Sequence, residues 1–195
     1  MISILVGSPG SGKTTIRERL EAQGWAGFEV STYIKRAMQL YEATTLDELP
    51  AKAGPNIAAR MICEELKNLQ PNQSAVISGF RSPNEINRVK ALAEVVVIGL
   101  YLSIRIAYDR VKQRRGPRDN LTFTEFTNRV EADYNLGVAD ILHHHTDAYL
   151  GTDRDIEVIV EEIKLLKPMP SLIRQTQVNQ FKYTDRIAIA TLPRV

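Results

Sequence analysis

The sequence has little cysteine and no long apolar run, and each of these shortages excludes a class of protein. Cys63 is the single cysteine among 195 residues, so neither an internal disulfide nor a cysteine-based zinc site can form. No stretch reaches the roughly 18 consecutive apolar residues of a membrane-spanning helix. The first residues enter an apolar strand directly, without the basic region and cleavage site of a secretory signal. We therefore expect a cytoplasmic protein without a membrane span.

A strong excess of one charge is also missing. Lys and Arg number 25 against 23 Asp and Glu, which gives a formal net charge of +2. This mild basicity falls short of what marks a nucleic-acid binder by charge alone. Hydrophobic residues make up 44% and charged residues 25%, a balance typical of a globular protein of one α/β domain.

Short apolar runs alternate with amphipathic segments, which favours a parallel sheet covered by helices. The predicted strands are residues 1–6, 28–30, 75–78, 95–102 and 148–150. The predicted helices are residues 14–23, 32–41, 56–68, 83–93, 105–114, 122–135 and 153–166. We expect a three-layer α/β/α sandwich with a mostly parallel five-stranded sheet, formed by a domain of residues 1–167. Residues 44–54 are predicted as a loop, and the extension 168–195 contains a candidate edge strand at 186–190.

One motif is specific in both its spacing and its context. The pattern G-x-x-x-x-G-K-[ST] is matched at every fixed position between the first strand and the first helix, by Gly7, Ser8, Pro9, Gly10, Ser11, Gly12, Lys13 and Thr14. Its glycines let the loop curve so that backbone N–H groups point at a phosphate, and the new helix adds further N–H groups, including that of Thr15. We expect Lys13 to contact the β and γ phosphates of ATP and Thr14 to bind Mg²⁺.

A second cationic segment follows the most apolar strand. Five cations lie between residues 109 and 119, namely Arg110, Lys112, Arg114, Arg115 and Arg118. Such a cluster suits a lid over residues 110–120 that closes on a transferring phosphoryl group. The alternative is a solvated helix end whose basic residues complement the helix dipole. The glycine-rich loop from Gly7 to Thr14 favours the interpretation as a lid, because ATP chemistry needs cations opposite the phosphates.

Together these segments resemble the P-loop nucleoside-monophosphate kinase superfamily, closest to its dephospho-CoA-kinase-like and deoxynucleotide-kinase-like branches. The resemblance covers residues 1–166 and implies transfer of the γ-phosphoryl group of ATP, with Mg²⁺, to a small nucleotide-like acceptor. It implies that Arg36 and Arg81 bind the acceptor and that Arg114 and Arg118 close over the transferring group. It also implies that the adenine pocket is formed by Arg110 and the loop at Gly151 and Thr152. Tyr33, near Arg36, is equally compatible with stacking on an acceptor base and with a core position.

Two acids of the family pattern are not matched. The helix after the second strand lacks the acidic residue that precedes the arginine, and Ser78 stands where the third strand of the family ends in Asp. Mg²⁺ usually gains a carboxylate, directly or through water. Ser78 is a candidate to hold a metal-bound water, and Glu29 or Asp119 is a candidate to supply the charge.

Three hypotheses for the function stay open at this point. The first is a kinase of a nucleotide or a nucleotide-like cofactor precursor. The second is a kinase that acts on nucleic acid, at an end or on a hydroxymethylated base, for which the mild basicity leaves room. The third is an ATP-binding module without catalysis, which the unmatched acids allow. The sequence leaves the oligomeric state open.

Overall fold

A five-stranded parallel sheet lies at the centre of the molecule. The computed structural model describes residues 1–114, 116 and 119–168. The strands are β1 Ile2–Val6, β2 Ala26–Glu29, β3 Ala75–Ser78, β4 Val95–Tyr101 and β5 Ala148–Gly151. They stand in the order β2-β3-β1-β4-β5, and all pairings between neighbours are parallel. The expected parallel five-stranded sheet is confirmed.

Helices connect the strands and cover both faces of the sheet. They are α1 Lys13–Glu21, α2 Val30–Leu40, α3 Leu49–Ala53, α4 Ile57–Lys67, α5 Pro83–Lys90, α6 Ile104–Gln113, α7 Phe123–Asp133 and α8 Ile156–Leu165. Two π-helical turns, Tyr134–Val138 and Ile141–His145, follow α7. Parallel strands need such crossover helices, because a short hairpin turn cannot join them.

The alternation of side chains along each strand divides the core into two layers. In β1, Ile4 packs with residues of α2, α4 and α5, whereas its neighbour Leu5 packs with residues of α1 and α8. Val97 and Val96 of β4 divide in the same way. Because both faces are buried, these strands are apolar at nearly every position. The three-layer α/β/α arrangement is therefore confirmed.

The segment predicted as a loop over residues 44–54 contains the short helix α3, so that prediction is wrong in its second half. Pro50 lies in the first turn of α3, where its missing N–H group costs no hydrogen bond. Leu49 and Ala53 are buried in a cluster with Ala37 of α2. Tertiary packing thus stabilises a helix where proline and glycine indicated a loop.

The helix predicted over residues 122–135 also ends differently. The α-helical part stops at Asp133, and the chain continues as the first π-helical turn. Within that turn Gly137 has φ 121° and ψ 0°, a conformation that interrupts regular helix geometry.

Several sequence predictions fall outside the described residues. Arg118 and the candidate edge strand at 186–190 are among them. In the part of the chain that the structure describes, no helix combines the length and the apolar character needed to cross a bilayer.

Candidate functional site

The loop between β1 and α1 owes its shape to glycines. Gly10 and Gly12 have φ values of 81° and 92°, which side chains with a Cβ rarely adopt. Gly7 keeps a negative φ, but a Cβ there would lie 2.6 Å from the carbonyl oxygen of Leu100 in β4. A Cβ on Gly10 would overlap the backbone of Ala107 in α6. The loop is therefore packed tightly between the end of β4 and α6.

The ammonium group of Lys13 lies inside the curve of this loop. Its Nζ donates hydrogen bonds to the carbonyl oxygens of Gly7, at 2.7 Å, and Ser8, at 2.8 Å. The hydroxyl of Ser11 is 3.4 Å away and accepts a third. Burial of the ammonium lowers the pKa of Lys13 to about 8, and the carboxylates of Asp133 and Glu29 oppose that shift in part. An anion bound beside the ammonium would raise this pKa again, because it stabilises the charged form.

A cavity of about 290 Å³ opens beside Lys13 and joins the loop to the ends of β2 and β3. Its polar wall combines cations, carboxylates and hydroxyl groups from five parts of the chain. These side chains are Lys13, Thr14, Glu29, Ser31, Arg81, Glu85, Arg114, Asp119, Arg129 and Asp133. Gly7, Pro9, Gly10 and Gly12 line the same space. The structure therefore brings most of the loop residues, Arg81 and Arg114 into one cavity.

Glu29 is the carboxylate at the end of β2, directly opposite Ser78 at the end of β3. The Ser78 hydroxyl donates a 2.6 Å hydrogen bond to Oε2 of Glu29. Gly79, with φ 103°, follows Ser78, and a Cβ on it would lie 3.1 Å from Oε1 of Glu29. The Glu29 carboxylate therefore lies over the end of β3, beside Gly79.

Arg81 enters the cavity from the start of α5, where its main chain is fixed. Oε2 of Glu85 accepts hydrogen bonds from the backbone N–H groups of Arg81 and Ser82, as part of the capping box that begins α5. Burial raises the pKa of the Glu85 carboxyl, and the two N–H groups oppose that shift. Nε of Arg81 forms an ion pair with Oδ1 of Asp133 at 3.2 Å.

Sequence reasoning missed Asp133. One signal was available: Asp133 lies four residues after Arg129, so the two share a face of α7, and both line the cavity. Its pairing with Arg81, fifty-two positions earlier in the numbering, is a tertiary contact without a local sequence signature.

A second cavity, of about 370 Å³, lies on the other side of the loop. Nη2 of Arg110 donates a 2.7 Å hydrogen bond to the carbonyl oxygen of Thr152, which ties α6 to the segment after β5. The lining residues are Gly10, Gly12, Thr15, Ile16, Arg110, Gln113, Arg114, Thr152, Arg154, Ile156 and Ile159. Gly151 is not among them, and its carbonyl oxygen accepts a hydrogen bond from Arg154. The structure thus joins Arg110, Thr152 and Thr15, as the resemblance implied for Arg110 and Thr152.

The structure does not bring Tyr33 and Arg36 into either cavity. Both side chains point to α4 and contact Glu65: the Tyr33 hydroxyl donates to Oε2 at 2.6 Å, and Nη1 of Arg36 lies 3.1 Å from Oε1. Burial and the hydrogen bond to Glu65 raise the pKa of Tyr33 well above its usual range. Their placement follows from the helical face of α2 that packs on α4.

Comparison with known proteins gives relatives of similar length. A UPF0200 protein of Pyrobaculum aerophilum is 28% identical over 171 residues, which span 84% of this chain and 95% of that protein. A UPF0200 protein of Thermococcus gammatolerans is 24% identical over 178 residues, which span 85% and 93%. No family model matches the chain.

Two solved structures share its architecture. The crystal structure of TT1252 from Thermus thermophilus aligns with a TM-score of 0.64 and 16% identity, over 86% of this chain and 98% of that one. Shikimate kinase from Acinetobacter baumannii, in complex with shikimate, aligns with a TM-score of 0.52 and 16% identity, over 84% and 90%. The chain has a P-loop kinase-like fold.

Proposed function

We propose that this chain is an ATP-dependent phosphotransferase that transfers the γ-phosphoryl group of ATP to a small nucleotide or nucleotide-like acceptor. One observation carries the proposal. A single cavity is lined by the glycine-rich loop with Lys13 and Thr14, by the carboxylate of Glu29 and by the guanidinium of Arg81. Phosphoryl transfer consists mostly of positioning and charge neutralisation, and these are the groups that it requires.

The residues of the loop fit a polyphosphate and its metal ion. The positive φ values of Gly10 and Gly12 shape the cradle, and Lys13 is a buried cation whose pKa an anion would raise again. The Thr14 hydroxyl would bind Mg²⁺, with Glu29 as the nearby carboxylate and Ser78 orienting it. Bound Mg²⁺ supplies charge neutralisation between the β and γ phosphates.

The remaining residues of the two cavities would bind either ATP, the phosphoryl donor, or the phosphoryl acceptor. The second cavity, between Arg110 and Thr152, would take the base of ATP. Arg81 would hold an oxyanion of the acceptor, and Arg114, which lines both cavities, would neutralise charge on the transferring group. An ionised phosphate oxygen of the acceptor would form the new bond to the γ phosphorus while the bond from that phosphorus to the bridging oxygen breaks and ADP leaves. A hydroxyl acceptor would in addition release its proton to water.

A transfer screen with γ-labelled ATP and Mg²⁺ tests the proposal. The acceptor panel comprises nucleoside monophosphates, dephospho-CoA, shikimate, and DNA with and without hydroxymethylated bases. Label in a small acceptor that disappears in Lys13→Ala and persists in Lys35→Ala, an exposed lysine of α2, would support it. Equal transfer by Lys13→Ala, or ATP binding without transfer to any acceptor, would overturn it. Transfer to DNA alone, with a steep dependence on salt, would favour a nucleic-acid kinase.

A further inference from the structure

Arg81 is held by a part of the chain that neither the sequence motifs nor the proposed function uses. The junction of α7 and the first π-helical turn provides Asp133, whose Oδ1 lies 3.2 Å from Nε of Arg81. The Asp133 side chain is only 16% exposed, whereas that of Arg81 is 50% exposed. The carboxylate is therefore the buried partner, and the guanidinium is the one that reaches into the open cavity.

The same junction also contacts the main chain of Arg81. Gly137 lies in the π-helical turn with φ 121°, and a Cβ on it would lie 2.6 Å from the carbonyl oxygen of Arg81. On the opposite side, Glu85 accepts the backbone N–H of Arg81. Two elements thus fix the backbone of this residue, and Asp133 fixes its side chain.

The direction of the ion pair determines what Arg81 can still bind. Asp133 contacts the Nε edge of the guanidinium, and the two Nη nitrogens form the other edge, which suits a bidentate contact with a phosphate or carboxylate. A free arginine side chain would lose conformational entropy when it binds an anion, and an arginine held in advance loses less. The carboxylate of Asp133 also prevents an acceptor anion from binding at the wrong edge by charge repulsion.

We infer that Asp133 is a positioning residue that holds Arg81 with its Nη edge toward the oxyanion of the acceptor, with the π-helical turn at Gly137 as its backbone support. The inference rests on the proposed function. It assigns Asp133 a role in the recognition of the acceptor, in addition to its electrostatic interaction with Lys13.

Asp133→Asn tests it against a matched control. Asp140→Asn makes the same chemical change at a 53% exposed position a few residues further on. We expect Asp133→Asn to raise the KM for the acceptor about tenfold, because the partly buried ion pair with Arg81 is lost, and to change the KM for ATP less. Asp133→Glu should recover part of the loss. An unchanged acceptor KM, or an equal rise in both KM values, would overturn the inference.

The double variant separates positioning from an independent contribution. If Asp133 acts through Arg81, then Asp133→Asn combined with Arg81→Ala should be no worse than Arg81→Ala alone. Losses that multiply would overturn the inference, because they would mean that Asp133 acts on its own.

A spectroscopic readout does not depend on turnover. The side-chain Nε–Hε resonance of Arg81, assigned with Arg81→Lys, should report the Asp133 carboxylate 3.2 Å from Nε through its chemical shift in the protein without acceptor. It should shift in Asp133→Asn but not in Asp140→Asn; no difference would overturn the inference. If the resonance behaves as expected but the wild type transfers no label to any acceptor, the proposed function is wrong. The role of Asp133 in acceptor recognition is then wrong as well. If the wild type transfers label and Asp133→Asn matches it, only the inference fails.

Discussion

The hydroxyl of Ser78 donates a 2.6 Å hydrogen bond to Oε2 of Glu29, and the two residues are register partners at the ends of β3 and β2. A serine at the end of one strand and a glutamate at the end of its neighbour together present one oriented carboxylate beside Lys13. In the proposed function, this carboxylate of β2 would stand in for the acid that the resemblance implies at the end of β3. Arg17, 3.7 Å from the same Oε2, adds a cation behind it.

Replacement of the Glu29 carboxylate should impair phosphoryl transfer more than replacement of its hydroxyl partner. We expect Glu29→Gln to lower kcat/KM by about 100-fold, because a preorganised charge is removed from the site, and Ser78→Ala by about tenfold, because only its orientation is lost. Steady-state kinetics with the acceptor found in the screen measures both. Glu18→Gln, at an exposed position of α1, is the control. Wild-type rates in Glu29→Gln would refute the role given to this carboxylate.

Two glycines with similar backbone conformations allow steric and conformational costs to be separated. Gly24 has φ 90°, and a Cβ there would meet no heavy atom of the described residues within 4 Å, whereas Gly10 abuts Ala107. Gly24→Ala should lower the free energy of unfolding by about 1–2 kcal/mol through the left-handed conformation alone. Gly10→Ala should have the same conformational cost and should also displace the loop, because the new Cβ overlaps the backbone of Ala107. We expect this displacement to weaken ATP binding by at least about tenfold. Urea unfolding and calorimetric titration with ATP measure the two effects; equal ATP affinity in both variants would contradict this.

The lowered pKa of Lys13 should make ATP binding depend on pH. Burial of the ammonium brings the pKa to about 8 in the ATP-free protein, and the polyphosphate should raise it again by stabilising the charged form. Binding at pH 8.5 should therefore take up about three-quarters of a proton, and the affinity should fall as the pH rises above about 8. Titration calorimetry in two buffers of different ionisation enthalpy measures the uptake. Identical heats in both buffers would contradict a lowered pKa.

The same shift has a consequence for stability without ATP. The folded-state pKa lies below the unfolded value of 10.5, so the folded form binds protons less strongly than the unfolded form. Stability should therefore rise with pH between about 8 and 10.5 for this group, and the full cost of the buried ammonium is present below about pH 8. The difference between wild type and Lys13→Met in urea unfolding at pH 7 and pH 10 isolates this contribution. A difference that does not change with pH would contradict it.

The contacts of Tyr33 and Arg36 with Glu65 predict structural effects rather than catalytic ones. Tyr33→Phe should lower the free energy of unfolding by about 1 kcal/mol, because it removes one hydrogen bond between α2 and α4. Arg36→Ala removes an exposed ion pair and should cost less than about 0.5 kcal/mol. Both should transfer phosphoryl groups within about twofold of wild type, whereas Arg81→Ala should lose about 100-fold in kcat/KM. If Arg36→Ala raised the KM for the acceptor as much as Arg81→Ala does, the result would indicate that Arg36 binds the acceptor.

The sequence predicts what depends on local geometry. The loop from Gly7 to Thr14 could be recognised because its function resides in backbone conformation, which glycine spacing records directly. The apolar strands could be recognised because burial on both faces leaves a continuous hydrophobic run. The helix α3 could not, because its stability comes from packing of Leu49 and Ala53 on another helix.

Contacts between distant segments are what sequence patterns do not record. Glu65 lies 29 positions from Arg36, so nothing local distinguishes an arginine that faces α4 from one that faces the cavity. Gly137 can approach the carbonyl oxygen of Arg81 because the chain kinks at this glycine after α7, and the regular periodicity of a helix gives no sign of that kink.

The position of β1 between β3 and β4 has a consequence for the order of events during synthesis. Ile2 pairs with Ala75 of β3 and with Val95 of β4, so β1 gains its first strand partner when β3 has left the ribosome and its second only when β4 follows. Leu100, whose carbonyl oxygen packs against Gly7, leaves the ribosome later still. A nascent chain that has emerged only as far as β3 contains the complete motif from Gly7 to Thr14. It still lacks Leu100 and Ala107, which pack against the glycines of that loop. We therefore expect the loop to reach its binding conformation late in synthesis. Only when β4 pairs with β1 do the new contacts offset the entropy that is lost when distant segments of the chain come together.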